Sequence, residues 1–291
     1  MKKIRIVFYI VAVISFTACS AGISLYTPQE QVAIGKQLDT EIRNNPKEYP
    51  IYKGDPSVKA YIEKNILRPI LDSKDIKYRG TFTYQLEIIQ RDDVINAFAT
   101  PGGYIYVYTG LLKYIDSEAA LAGILAHEIA HAENEHASKR MFDAMALQGI
   151  TSLFVNEKSS ELLKIGTALG ANGWLSSNSR TDEDQSDKCS FDYLRTTRFY
   201  PGGVKFMFEK LKGDGAISAK SESKGGALAA VGNALNKAVA FLTATHPEPV
   251  ERIEVINKRL TDAIIPLKTY KSSDKDIFKA EYDKNIKKKL R

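Results

Sequence analysis

The chain has 291 residues, 44% of them hydrophobic, 26% charged and 10% aromatic, with two cysteines. That composition excludes a disordered chain, a collagen-like repeat and a small disulfide scaffold, and the length suits about one to two domains. Half of the net charge of +6 comes from Lys2, Lys3 and Arg5 in a segment that holds no acid, so the rest is close to balanced and makes no case for nucleic acid or nucleotide as a partner.

Residues 1–18 join that basic start to an uncharged apolar stretch, the pattern of a secretory signal peptide. The order Phe16-Thr17-Ala18-Cys19 resembles the bacterial lipobox, with Phe16 where Leu is usual. The expectation is cleavage before Cys19, a lipid on Cys19 and a tether over 19–27. A multiply acylated N-terminus holds a protein stably on a bilayer. The body would then face the extracytoplasmic side of a bacterial envelope, on the outer membrane facing the periplasm in a Gram-negative host, because Ser20 is not the retaining Asp. Cys189 is left without an intramolecular partner and is expected to be buried.

Apolar positions at helical spacing predict a helix over 28–42, and a second over 57–71 beyond the breaker-rich stretch 44–56. Residues 81–90 alternate as a strand does, while 94–100 and 104–109 flank Pro101-Gly102-Gly103 as an antiparallel hairpin. Ser117 or Asp116 can cap a helix whose stripe Leu121, Ile124, Leu125 and Ile129 faces a core. Residues 141–173 read as mixed helix and loop, 182–199 as a helix stopped by Pro201-Gly202-Gly203, and 212–226 as a Gly/Ser/Lys-rich loop. Helices are expected over 227–243 and 250–260. Residues 261–291 form a Lys-rich C-terminal extension, read as a solvated end.

His127-Glu128-Ile129-Ala130-His131 falls within the predicted buried helix. At about 100° per residue, histidines four apart share a face and can present their rings to one cation, with Glu128 one step around. A catalytic zinc needs a third protein ligand and an open position. His136 is nearly opposite His127 on a continuous helix and is read as structural, closing that helix. In the run Ser179 to Asp187, Glu183 and Asp187 share a helix face, so that one carboxylate can ligate while the other accepts a hydrogen bond from an imidazole. By spacing alone the same cluster suits a solvated helix N-terminus.

The motif HExxH followed by Ser-Arg-x-x-Glu-x-x-Ser-Asp resembles metallopeptidase family forty-eight, a gluzincin family. Asn96-Ala97-Phe98-Ala99-Thr100-Pro101-Gly102-Gly103, Gly110-Leu111-Leu112, Tyr200-Pro201-Gly202, His246-Pro247 and Arg252-Ile253 extend the likeness over about residues 28–260. Ser186 departs from the usual Ala. The resemblance implies an α+β, predominantly helical zincin fold with a small antiparallel sheet beside the HExxH helix. It implies one zinc held by His127, His131 and Glu183, Glu128 as general base, Asp187 as acceptor from a ligand imidazole, and His246 with Arg252 stabilising the oxyanion. His246 is also expected to act as a resting fourth ligand.

The function expected is a zinc endopeptidase of the lipoprotein branch, acting on unfolded or misassembled envelope proteins. Substrate would lie as an added strand along Asn96, Ala97, Phe98 and Ala99. The alternative is an envelope chaperone or assembly factor that uses the same groove with rare or gated proteolysis.

Overall fold

The computed structural model describes residues 26–147, 178–217 and 234–290. The signal peptide, Cys19 and most of the tether lie outside them, as do most of the expected loop 212–226 and the first part of the helix expected over 227–243. No helix of the described residues is long and apolar enough to cross a membrane.

Helix α1, Pro28–Asn44, starts in a capping box: Glu30 N donates to Thr27 Oγ1 at 3.2 Å, and Thr27 N donates to Glu30 Oε2 at 2.7 Å. Asp55 caps α2, Pro56–Ile62. The single helix expected over 57–71 is divided, α2 passing through a π segment, Glu63–Leu67, into α3, Arg68–Leu71. Pro69 explains the division. An interior proline donates no hydrogen bond and its ring crowds the carbonyl four residues back, and a widened turn relieves both.

The sheet comprises β1, Leu86–Ile89, β2, Ala97–Ala99, and β3, Ile105–Tyr108, in the order β1-β3-β2. The hairpin of β2 and β3 is antiparallel as expected, pairing Ala99 with Ile105 across a turn in which Gly102 and Gly103 take φ of 74° and 84°. The sheet as a whole is mixed, not antiparallel, because β1 pairs with β3 in parallel, Leu86 opposite Ile105. β3 takes the centre because both rows of its backbone groups are paired, one with β1 and the other with β2. The strand expected over 81–90 is confined to β1, since Tyr84 takes φ of 44° and points its hydroxyl at Glu133.

Thr109–Tyr114 forms α4, and the central helix α5 runs Glu118–Glu133, with Ala120 N donating to Ser117 Oγ at 3.2 Å. Every residue of α5 is buried. A Cβ at Gly123 would fall inside the backbone of Gly203 and Val204, so the Tyr200-Pro201-Gly202-Gly203 turn rests directly on the helix. Asn134 and Glu135, the latter at φ 63°, end α5, and His136 opens α6, His136–Leu147, rather than closing the helix before it.

Helix α7, Arg180–Leu194, is capped by Ser179. It stops short of the expected 199 because the Thr196 and Thr197 hydroxyls bond back to Tyr193 O and Leu194 O. Helices α8, Lys205–Gly213, α9, Ala234–Thr245, and α10, Pro249–Asp262, complete the site's surroundings.

The C-terminal residues are not a solvated end. Helices α11, Asp274–Ile277, and α12, Lys279–Asn285, fold back so that Ile277, Tyr282, Ile286 and Leu290 join the main core. Tyr282 donates to Leu112 O at 2.6 Å. The lysines of this stretch hide its apolar spacing in a charge count.

Candidate active site

His127 and His131 stand one turn apart on α5, their Nε2 atoms 2.9 Å from each other. Glu183, one turn into α7, lies between them, with Oε2 3.4 Å from His127 Nε2 and Oε1 3.3 Å from His131 Nε2. His246, just past α9, brings Nδ1 to 3.1 Å from Glu183 Oε1. One donor atom from each of these four buried residues lies within 4.8 Å of all the others.

Hydrogen bonds outside this cluster decide which imidazole nitrogens are free for it. His127 Nδ1 is 2.9 Å from Asp187 Oδ1, so this ring donates there and leaves the Nε2 lone pair facing the cluster. His131 is set by a longer chain. Gln185 Nε2 donates to Asn134 Oδ1 at 2.9 Å, which leaves Gln185 Oε1 to accept from His136 Nε2 at 3.2 Å. His136 Nδ1 therefore accepts from His131 Nδ1, 2.8 Å away, which leaves the His131 Nε2 lone pair facing the cluster. Burial pushes the His136 imidazole down to about 4, so it stays neutral in this role.

Arg252 on α10 closes the underside. Its Nε and Nη2 donate to the two oxygens of Asp187 at 2.8 and 2.7 Å, Nη1 meets Glu183 Oε2, and the guanidinium lies 4.5 Å from the Phe208 ring centre. Burial disfavours the Asp187 carboxylate, but Arg252 and His127 outweigh it and hold this group down at about 2. Arg252 and His246 likewise keep Glu183 ionised against its burial. Burial raises Glu128, and His246 Nε2 stands 3.6 Å from Glu128 Oε1.

Three carboxylates, Glu128, Glu183 and Asp187, thus lie together in a buried space, with Arg252 bonded to two of them and Arg140 on the wall of the adjoining cavity. A divalent metal ion balances such a group, and neutral imidazoles with a carboxylate are the donors zinc prefers. The residues present fit that ion.

The β2 edge borders the cluster. Tyr108 N donates to Asn96 O and Thr100 N to Tyr104 O, so even-numbered residues point their backbone at β3. Ala97 and Ala99 point theirs away from it. Ile95 N, next in that row, is taken by Ala238 O of α9 at 2.9 Å. Two cavities flank Glu128. One is lined by Phe98, Ala99, His131 and Arg140 among others, the second by Leu111, Ile124, Val204 and Met207, and Asn96, Glu128 and His246 face both.

A model of peptidase family M48 matches residues 56–260. The chain belongs to that family. It is similar to the beta-barrel assembly-enhancing protease of Escherichia coli K12, at 26% identity over 69% of this chain and 41% of the relative. The Yersinia pestis protein of the same name is 29% identical over 66% of this chain and 39% of its own length. The mitochondrial metalloendopeptidase OMA1 of Schizosaccharomyces pombe is 29% identical over 64% and 49%. The chain therefore spans about two fifths to one half of the relatives it matches.

In this member of family M48 the expected His127, Glu128, His131, Glu183, Asp187, His246 and Arg252 meet in one place. The guanidinium of Arg252, paired in expectation with His246, sits on Asp187 and Glu183. Cys189 is half-buried, not buried, with Asn134 Nδ2 3.5 Å from its sulfur. Two participants carry little signal in the sequence. His136, expected to be structural, lies five positions after His131 and has no helical relation to it once Glu135 has broken the helix. Asn178 donates to Glu183 Oε1 at 2.6 Å and to Thr245 O through its backbone at 3.0 Å. Its one trace in the sequence is its place before the Ser179 cap.

Proposed function

We propose that the chain is a zinc-dependent endopeptidase, held at the bacterial envelope by a lipid on Cys19 and acting on unfolded or misassembled envelope proteins. The observation that carries the reading is the convergence of His127, His131, Glu183 and His246 on one point beside Glu128. His127, His131 and Glu183 would hold the zinc, one per chain. When bound, zinc supplies Lewis acidity toward a carbonyl oxygen and acidifies water.

Glu128 accepts a proton from the attacking water and returns it to the leaving amine. Its burial raises its proton affinity, which suits a group that must both take and give a proton. His246 faces the same space and can donate to the developing oxyanion. In the arrangement described it stands among the metal donors, which is the resting form of this reading. Arg252, through Asp187 and Glu183, fixes the imidazole and carboxylate positions.

Substrate pairs with the backbone of Ala97 and Ala99. Main-chain pairing selects extended chains and asks little of their sequence, which matches unfolded proteins as a substrate class. The envelope setting rests on the resemblance of residues 16–19 to a lipobox and on the name of the beta-barrel assembly-enhancing relatives.

Metal analysis of the purified chain, with casein cleavage by wild type and Glu128→Gln, tests the proposal. The expected result is zinc in both proteins and cleavage by the wild type alone. A wild type that binds zinc but cuts no unfolded chain overturns it. If Glu128→Gln keeps the full biological effect, the assembly-factor reading takes its place.

A further inference from the structure

Arg140 stands one turn after His136 on α6 and, with Ala137, lines the cavity that lies on the Ala99 side of Glu128. Its side chain is only 21% exposed. Burial disfavours its charge, and the carboxylates of Asp182, Glu183 and Glu128 oppose that effect. The Asp182 carboxylate lies 3.9 Å from Nη1, and it has other duties: Oδ2 accepts from Ser179 N at 3.1 Å, and Oδ1 is 3.6 Å from His136 Nε2. A cation held this deep is costly unless anionic groups surround it. Neither the metal donors nor the proton transfers proposed above make use of Arg140.

Its place in the cavity gives it a use. A chain paired along Ala97 and Ala99 passes Glu128 and offers side chains to the two cavities from opposite sides of the cut. The cavity of Leu111, Ile124, Val204 and Met207 suits an apolar group. The Arg140 cavity encloses about 30 Å³. A single water needs roughly 10–15 Å³ of open space, so the room suits a small polar group on a short stem far better than a ring. A lysine entering it would meet a like charge with little water between them, whereas a carboxylate would find a guanidinium fork. Arg252, in the same site, shows one guanidinium serving two carboxylates, Asp187 and Glu183.

Resting on the endopeptidase reading above, we infer that Arg140 is a specificity-determining residue, whose guanidinium receives the carboxylate of an acidic substrate side chain on the Ala99 side of the cut. Backbone pairing along β2 is indifferent to sequence, and Arg140 adds to it a choice by charge at one position. Unfolded chains are then cut preferentially beside an aspartate, and stretches that would place a lysine or arginine there are spared.

The test uses the full chain and an unstructured peptide cut at one bond, with Asp or Asn placed in turn at the two positions on either side of the cut. The two residues differ in charge and little in shape. At one position the wild type is expected to favour Asp about 10- to 100-fold in kcat/KM. Arg140→Gln is expected to bring that ratio to within about twofold of unity, Arg140→Lys to keep part of it, and Arg140→Glu to favour Lys over Asp there. A role confined to holding Asp182 or keeping His136 neutral would slow the Asp and Asn peptides alike and leave the ratio unchanged. A wild type whose ratio stays within about twofold of unity at every position, or an Arg140→Gln that keeps the wild-type ratio, overturns the inference while the endopeptidase reading stands. A wild type that cleaves no peptide overturns both.

Discussion

Arg252 grips Asp187 with two parallel hydrogen bonds, Nε to Oδ2 at 2.8 Å and Nη2 to Oδ1 at 2.7 Å, and Asp187 Oδ1 is the atom that faces His127 Nδ1. The orientation of a metal-facing imidazole on α5 is thus set from α10, through a carboxylate on α7. Arg252→Met is expected to strand two buried carboxylates, Asp187 and Glu183, and to cost about 3–5 kcal/mol of stability. Arg252→Lys should recover little of it, because an ammonium cannot reproduce the fork. Denaturant unfolding of the three proteins checks both statements.

His136 does for His131 what Asp187 does for His127. His136→Phe keeps the ring volume but removes the acceptor at Nδ1, so the His131 tautomer is no longer specified. Zinc affinity is expected to fall about 10- to 100-fold, the usual effect of losing a partner that orients a ligand. Glu183→Ala, which removes a proposed ligand, should bind zinc far more weakly than that. Competition titration against a metallochromic chelator orders the three proteins, and a His136→Phe affinity equal to wild type would leave the relay without purpose.

His246→Ala separates the two duties proposed for His246. Losing an oxyanion donor costs about 2.7–4 kcal/mol in the transition state, so turnover should collapse while zinc is retained. If the resting contact with the metal donors dominates instead, basal cleavage rises and zinc exchanges faster. Wild-type kinetics with a wild-type zinc off-rate would dismiss both duties.

The folded C-terminus predicts a contrast within a few residues. Tyr282 is wholly buried and bonded to Leu112 O, so Tyr282→Ala is expected to destabilise the chain by about 3–5 kcal/mol, as for other large aromatic truncations. Tyr282→Phe should lose only about 0.5–1.5 kcal/mol, the share of the hydrogen bond. The Lys288 side chain, 67% exposed, pairs with Asp283 at the surface, and Lys288→Ala should be within about 0.5 kcal/mol of wild type. Thermal and denaturant melts of the three variants test the series.

Much of the site was legible because its parts are local. His127, Glu128 and His131 lie within one helical turn and a half, and Glu183 and Asp187 are again four apart, so helical periodicity alone places each set on a face. A cap at Ser117 or Asp116 announces where the first of those helices begins, and the Pro101-Gly102-Gly103 turn announces the hairpin. Family motifs then linked His246 and Arg252 to the same place. Contacts between segments distant in the chain have no such signature. The parallel pairing of β1 with β3, the π turn ahead of Pro69 and the burial of Ile277, Tyr282, Ile286 and Leu290 depend on which surfaces meet.

The amino-acid sequence by itself determined the His127, Glu128 and His131 set, the helix that carries it and the chemistry such donors prefer, since all three follow from residue type and short-range spacing, while Glu183 and His246 came only with the family resemblance. Tertiary structure decided which nitrogen of each imidazole faces the cluster, that Arg252 binds carboxylates, that His136 and Asn178 take part, and that the buried Asn96 amide has no hydrogen-bond partner among the described residues. The physical reason is one of range. A helix face is set by 3.6 residues per turn, whereas a hydrogen-bond partner, a tautomer or an orphaned amide is set by whatever atom the fold brings within about 3 Å.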